Sequence, residues 1–142
     1  MTYYVAWHEK YNPEIKAIEL AVISDKHELG GKIDRIYGID GKRVLLDLKT
    51  SKSAIFDSHW IQVAAYAEMY EHIFGLKIDQ VAILRLTSKR KDGYEYVVKS
   101  RKQWKVDYKQ FKKTYDTMTY LSDGKKIEPK ILEVPDVLTL KL

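Results

Sequence analysis

Two β-like apolar runs, Lys32–Tyr37 and Arg43–Leu48, flank the segment Gly38-Ile39-Asp40-Gly41. Asp-Gly between alternating apolar residues is a hairpin-turn signal, so an antiparallel hairpin is predicted here. The stretch Leu45-Leu46-Asp47-Leu48 is too apolar for an edge strand, which places the second strand inside a sheet. Upstream, Asn12-Pro13-Glu14 has the form of a helix start, with Asn as N-cap and Pro at the first helical position. That helix is short, because the run AIELAVIS from Ala17 reads as a strand. Downstream, Trp60, Val63, Ala64, Ala67 and Tyr70 or Glu71 fall at helical spacing within Ser58–Phe74. Asp57 or Ser58 caps this helix and Gly75 ends it.

Gln80–Thr87 is a strand, Lys91-Asp92-Gly93 a turn, and Tyr94–Lys99 a returning strand. A last helix is predicted from Val106 to Leu121, with Tyr108, Phe111, Tyr115 and Met118 on its apolar face and Asp123-Gly124 at its end. The tail from Ile127, with Pro129 and Pro135, reads as an extended segment. The order is short helix, three strands, helix, two strands, helix. That is an α/β protein with a mixed β-sheet flanked by helices. No repeat or linker interrupts the 142 residues, so residues 1–142 are read as a single domain.

Composition narrows the chemistry. The absence of cysteine excludes disulfides, thiolate zinc sites, iron–sulfur clusters and a Cys nucleophile. With 20 Asp plus Glu against 4 His, any metal would be held by oxygen, which favours Mg²⁺ or Mn²⁺. The net charge of +5 favours a polyanionic partner, nucleic acid first. The charge is concentrated in residues 85–113, where cations outnumber Asp92, Glu95 and Asp107 several-fold. No stretch approaches the roughly 20 apolar residues of a membrane span. The N-terminus lacks a signal-peptide layout. The expectation is an intracellular, cytoplasmic protein of a bacterial, archaeal or viral host cell, without a membrane partner.

Asp47 and Lys49 are two apart on a strand and therefore project from one face, while Leu48 turns to the other. Asp34 lies on the partner strand of the hairpin, within possible reach of Asp47. Two converging carboxylates beside a lysine call for a compensating cation. A divalent metal would meet that need and would suit phosphodiester hydrolysis, with Lys49 beside the attacking water. Taken alone, Asp-x-Lys is a common tripeptide and as easily a surface ion pair. The buried run Val44-Leu45-Leu46 leading into it, and Thr50-Ser51-Lys52 after it as phosphate contacts, strengthen the functional reading.

Three short motifs occur in order: Gly31-Lys32-Ile33-Asp34, Asp47-Leu48-Lys49-Thr50 and Gln62-Val63-Ala64-Ala65-Tyr66. Together they resemble the PD-(D/E)XK nuclease superfamily, and specifically its RecB-like exonuclease branch. The resemblance is close over residues 19–66. It implies a restriction-endonuclease-like core, with Asp34, Asp47 and the Leu48 carbonyl as metal ligands and Lys49 as the catalytic lysine. Gln62 and Tyr66 would face the site and contact nucleic acid. Glu19, an acid in an apolar run upstream of the hairpin, is the candidate for a further catalytic metal ligand. His8 is the alternative. Ile33 stands before Asp34 where the family name has Pro. The missing cysteines disfavour the iron–sulfur subfamilies, and any helicase or recombinase motor would be a separate chain.

Among the aromatic residues interleaved with lysines, Trp104, between Lys102 and Lys105, is the candidate for stacking on bases. The reading is thus an Mg²⁺- or Mn²⁺-dependent exonuclease acting on single- or double-stranded DNA with free ends, in repair, recombination or viral DNA processing. A structure-selective endonuclease, acting as a homo-oligomer, and a non-catalytic nucleic-acid-binding module are the alternatives.

Overall fold

The computed structural model describes residues 2–24, 29–50, 55, 57–87 and 93–121. The chain opens with α1 (Thr2–Tyr11), then β1 (Glu14–Ser24), β2 (Leu29–Ile39) and β3 (Lys42–Lys49). The second half contains α2 (Asp57–Phe74), β4 (Gln80–Leu86), β5 (Tyr94–Ser100) and α3 (Arg101–Leu121). The strands form one five-stranded sheet in the order β1-β2-β3-β4-β5. All neighbours are antiparallel except β3 and β4, which are parallel. A parallel pair needs a crossover, and α2 supplies it. This is an α/β restriction-endonuclease-like arrangement, with a mixed sheet and three flanking helices. Among the described residues, no helix is long and apolar enough to cross a membrane.

The β2–β3 hairpin forms at the Asp-Gly pair. Asp40 and Gly41 both take positive φ, 51° and 76°, which a two-residue type I′ turn requires. Ile39 pairs with Lys42, and the register runs unbroken to Arg35 opposite Leu46. The central strand β3 alternates cleanly. Val44 and Leu46 bury against α1, where Trp7 stacks on Tyr37 with ring centroids 5.9 Å apart. Leu45 faces the other way, into a larger core with Trp60, Val63, Ala64 and Ala67 of α2 and Trp104 and Phe111 of α3. Asp47 and Lys49 therefore point toward α2, and Leu48 toward the α1 side.

The structure corrects the reading at two helix ends. Asn12 does not start a helix; it closes α1, with φ 44° and its N–H donating to the His8 carbonyl at 2.8 Å. Asn tolerates the left-handed conformation and Pro often follows a helix end, so the same dipeptide serves either terminus. The last helix begins at Arg101, not Val106. Ser100 caps it: Gln103 N–H donates to Ser100 Oγ at 3.3 Å, and Ser100 N–H donates to Gln103 Oε1 at 2.7 Å. That reciprocal pair is a capping box. The α2 helix ends at Gly75 as its sequence implies, with φ 67°. The turn residues Lys91 and Asp92, Asp123-Gly124 and the tail from Ile127 lie outside the described residues.

Candidate active site

The hairpin register, carried one step beyond Arg35 and Leu46, places Asp34 across from Asp47. There the backbone ladder stops. Leu48 N–H donates instead to Asp34 Oδ2, at 2.9 Å. A side-chain carboxylate has replaced a main-chain acceptor, so the two acids face one another at the end of the paired strands. On β3, Lys49 Nζ lies 2.5 Å from Asp47 Oδ2. Both side chains are buried, at 3% and 4% exposure. The contact is an ion pair without hydrogen-bond alignment: neither Lys49 Nζ nor Asp47 Oδ2 has an aligned partner among the described residues.

Helix α2 covers this pair. Gln62 and Tyr66 are four apart, on one helical face, and both are buried. The Tyr66 hydroxyl has no hydrogen-bond partner among the described residues. Burial pushes its phenol well above the ordinary value, and Asp47 and Asp34 push it further. It therefore stays protonated, a donor beside two acids. Burial also pushes the Asp47 carboxyl up to about 8; Lys49 pulls against that shift and Asp34 adds to it. Three buried polar groups thus converge without settled hydrogen bonds, which is costly in a core unless a ligand completes them.

The remaining candidates fall elsewhere. Glu19, on β1, falls opposite Asp34 in the strand register, between the pairs Ile18–Arg35 and Leu20–Ile33, and has its own contact outside the buried pair. Ala17 and Leu20 both pack on the α2-side core, so strand alternation changes phase between them. Glu19, with φ 50°, is where the phase changes, and its side chain is 65% exposed. Its carboxylate meets Lys32 at 3.5 Å. His8 sits on α1 among Tyr4 and Trp7, across the sheet from Asp47. Trp104 is not a stacking platform: it is fully buried, and its Nε1–H donates to the Ile78 carbonyl at 3.2 Å. Thr50 is exposed just past β3. Ser51 and Lys52 lie outside the described residues. Sequence reading passed over His59, which is buried three residues before Gln62 on the same side of α2. The signal was its helical spacing to Gln62 and Tyr66.

Opposed carboxylates and a lysine at the end of a central strand, under a helix bearing Gln and Tyr, define a particular architecture. The sequence profile of the PD-(D/E)XK nuclease superfamily matches residues 1–132. The chain belongs to this superfamily. Comparison with curated proteins gave no match. Membership in the PD-(D/E)XK nucleases implies nuclease hydrolase activity and a nucleic-acid substrate.

Members of this superfamily typically use a divalent metal. Among the described residues, no group of three or more His, Asp or Glu converges to hold one. The donors that do converge are Asp34 and Asp47. Mg²⁺ is commonly held by one or two carboxylates with the rest of its shell left to water and phosphate, so a two-carboxylate set fits it. The raised Asp47 carboxyl fits as well, because a cation would favour the charged form that burial disfavours.

A pH signature follows for the metal-free protein. In the unfolded chain Asp47 ionises near 4, and in the folded chain near 8. A raised folded value contributes stability that is fully present below the lower value and is lost as pH rises to the upper one. With EDTA present, the thermal midpoint is expected to fall between pH 4 and 8 relative to Asp47→Asn, which lacks this titration. Parallel curves for the two proteins would contradict the raised Asp47 carboxyl.

Proposed function

We propose that the chain is an Mg²⁺- or Mn²⁺-dependent deoxyribonuclease, acting as an exonuclease on DNA with free ends. The observation that carries this is the meeting of the half-buried Asp34 with the buried Asp47 and Lys49 at the open end of the β2–β3 ladder, beneath Tyr66. Asp34, Asp47 and the Leu48 carbonyl would hold the metal. When bound, the metal would polarise the phosphoryl group and lower the pKa of water.

The chain's own groups do the rest. Asp47 and Lys49 hold one another at a buried position, where a fixed charge acts more strongly than in water. Lys49 Nζ, paired with Asp47 but with no aligned hydrogen bond among the described residues, would orient the attacking water or stabilise charge building on the phosphoryl oxygens. The Tyr66 hydroxyl donates toward the same place, and Gln62 stands one turn away to contact the nucleic-acid strand. Thr50, with Ser51 and Lys52 after it, contacts phosphate at the mouth of the site. Glu19, across from Asp34 in the β1–β2 register, is the candidate for a further metal ligand once its contact with Lys32 is given up. We take residues 1–142 as one nuclease domain, serving DNA repair, recombination or viral DNA processing, with any helicase or recombinase as a separate chain.

The test is incubation with end-labelled linear DNA and with covalently closed circular DNA, with and without Mn²⁺. The expected result is Mn²⁺-dependent loss of linear DNA with circles left intact. Cutting of circles would replace the exonuclease with an endonuclease. Cleavage unaffected by EDTA would remove the metal from the mechanism.

A further inference from the structure

The cations around α3 fall into two sets. One set is committed to acids: Arg101 pairs with Glu71 at 2.6 Å, Lys105 with Glu68 at 2.7 Å, and Lys99 of β5 with Asp107 at 2.8 Å. The other set, Lys102, Lys109, Lys112 and Lys113, is exposed and has no ion pair among the described residues. Lys102, Val106, Lys109 and Lys113 follow at spacings of four, three and four, so they form one outward stripe, with Lys112 beside it. At about 1.5 Å per residue the stripe is about 16 Å long. The acids of this helix leave it clear: Asp107 is held by Lys99, and Asp116 stands beyond Lys113 at the stripe's end. The arrangement costs the free helix. Lys109 and Lys113 are like charges four apart, and Lys102 sits in the first turn, where the helix dipole is itself positive. A polyanion lying along the stripe removes both costs.

Two further features say which polyanion. The pairs Arg101–Glu71 and Lys105–Glu68 set α3 antiparallel to α2. Lys109, Lys112 and Lys113 therefore run toward the N-terminal half of α2, which carries Gln62 and Tyr66 over the buried pair. The rings Trp104, Tyr108, Phe111 and Tyr115 of α3 all turn to the opposite side, into the core. Grooves for single strands combine cations with rings on which bases stack; this stripe has cations without rings. We propose that the outer stripe of α3 is a docking track for the phosphate backbone of duplex DNA, leading along α3 toward the active site. This rests on the reading of the chain as a deoxyribonuclease and deepens it, making the duplex the form in which substrate arrives. Double-stranded DNA carries one charge per about 1.7 Å of its axis, so the stripe meets several phosphates. Lysine ammoniums hold phosphate as point charges and read no bases, which suits an enzyme that starts from any free end.

The test is binding in EDTA, where metal-dependent cleavage is off, to end-labelled duplex and single-stranded DNA of one length at a series of salt concentrations. Wild type is compared with the triple variant Lys102→Gln, Lys109→Gln, Lys113→Gln. A control triple, Lys10→Gln, Lys16→Gln, Lys42→Gln, removes as many exposed charges from other elements. Glutamine keeps helix propensity and side-chain length, so thermal midpoints are expected to stay close to wild type. In the stripe variant, the slope of log K against log salt for the duplex is expected to shrink by about 2–3, since each phosphate contact contributes about 0.9. The control is expected to keep the wild-type slope, and single-strand binding to change little. The double variant Lys109→Gln, Lys113→Gln, with an expected change of about 1–2, carries the test if the triple does not fold. An unchanged duplex slope, or an equal change in the control, would overturn the proposal in favour of a solvated lysine face. An equal change for single strands would overturn it in favour of a single-strand groove. If the wild type cleaves nothing with Mn²⁺, the proposed function falls, and duplex binding in EDTA still decides the role of the stripe.

Discussion

Asp47→Asn and Lys49→Met are each expected to lower nucleic-acid cleavage by about 10²–10⁴-fold while leaving a folded protein. The separation between activity and stability follows from burial. Asp47 and Lys49 are among the least exposed charged residues described, and their meeting costs both of them water. A buried ion pair is weak evidence for stability, because desolvation cancels much of the attraction. Burial, moreover, holds the Asp47 carboxyl up to about 8, so its charged form is a liability to the apo fold. Asparagine keeps the shape and removes that charge. Methionine keeps the lysine stem and removes the ammonium. The thermal midpoint of Asp47→Asn, measured in EDTA at pH 8, should equal or exceed that of the wild type, while cleavage in Mn²⁺ is lost. Retention of full cleavage by either variant would remove the pair from the active site. Lys49→Arg is not expected to rescue, since a planar fork does not reproduce a compact ammonium at this buried position.

What made this pair legible in the sequence is the local character of its causes. Asp40-Gly41 fixes a two-residue turn, the turn fixes register, and register with strand alternation brings Asp34, Asp47 and Lys49 to one place. Every step uses neighbours between Asp34 and Lys49. Helix α2 was legible for the same reason: its apolar spacing and Gly75 are both local signals.

Failures arose where a local signal had two meanings, or where a partner far along the chain decided. Asn12-Pro13 suits either end of a helix, and Trp7, which fills the core behind β3, settles it from the N-terminal side. Glu19 lies in an apolar run that reads as an uninterrupted strand. Its φ of 50° is a backbone feature that no residue type near it announces.

Trp104→Ala is expected to destabilise the protein by about 3–5 kcal/mol, a large share of the roughly 5–15 kcal/mol that holds a typical domain together. Its lysine neighbours make it look like an exposed ring, and a helix begun at Val106 leaves it off the apolar stripe. Once the Ser100–Gln103 cap starts the helix at Arg101, Trp104 joins Tyr108, Phe111 and Tyr115 on one face. The indole is fully buried beneath α2, and the cations flank it: Lys105 Nζ lies 4.7 Å and the Arg101 guanidinium 5.5 Å from its ring. Those cations are also committed, Arg101 to Glu71 at 2.6 Å and Lys105 to Glu68 at 2.7 Å. Truncation would leave a cavity in the α2–α3 core and an unmatched Ile78 carbonyl. Trp104→Phe keeps most of the volume and isolates that lost hydrogen bond, at about 1 kcal/mol. Urea denaturation checks both values. Nucleic-acid affinity of the folded fraction separates the two roles a tryptophan among lysines can have. If Trp104→Ala kept wild-type stability and lost affinity, the ring would be a base-stacking platform. The buried indole and its bond to Ile78 lead to the opposite expectation, a large loss of stability with affinity retained wherever the chain still folds.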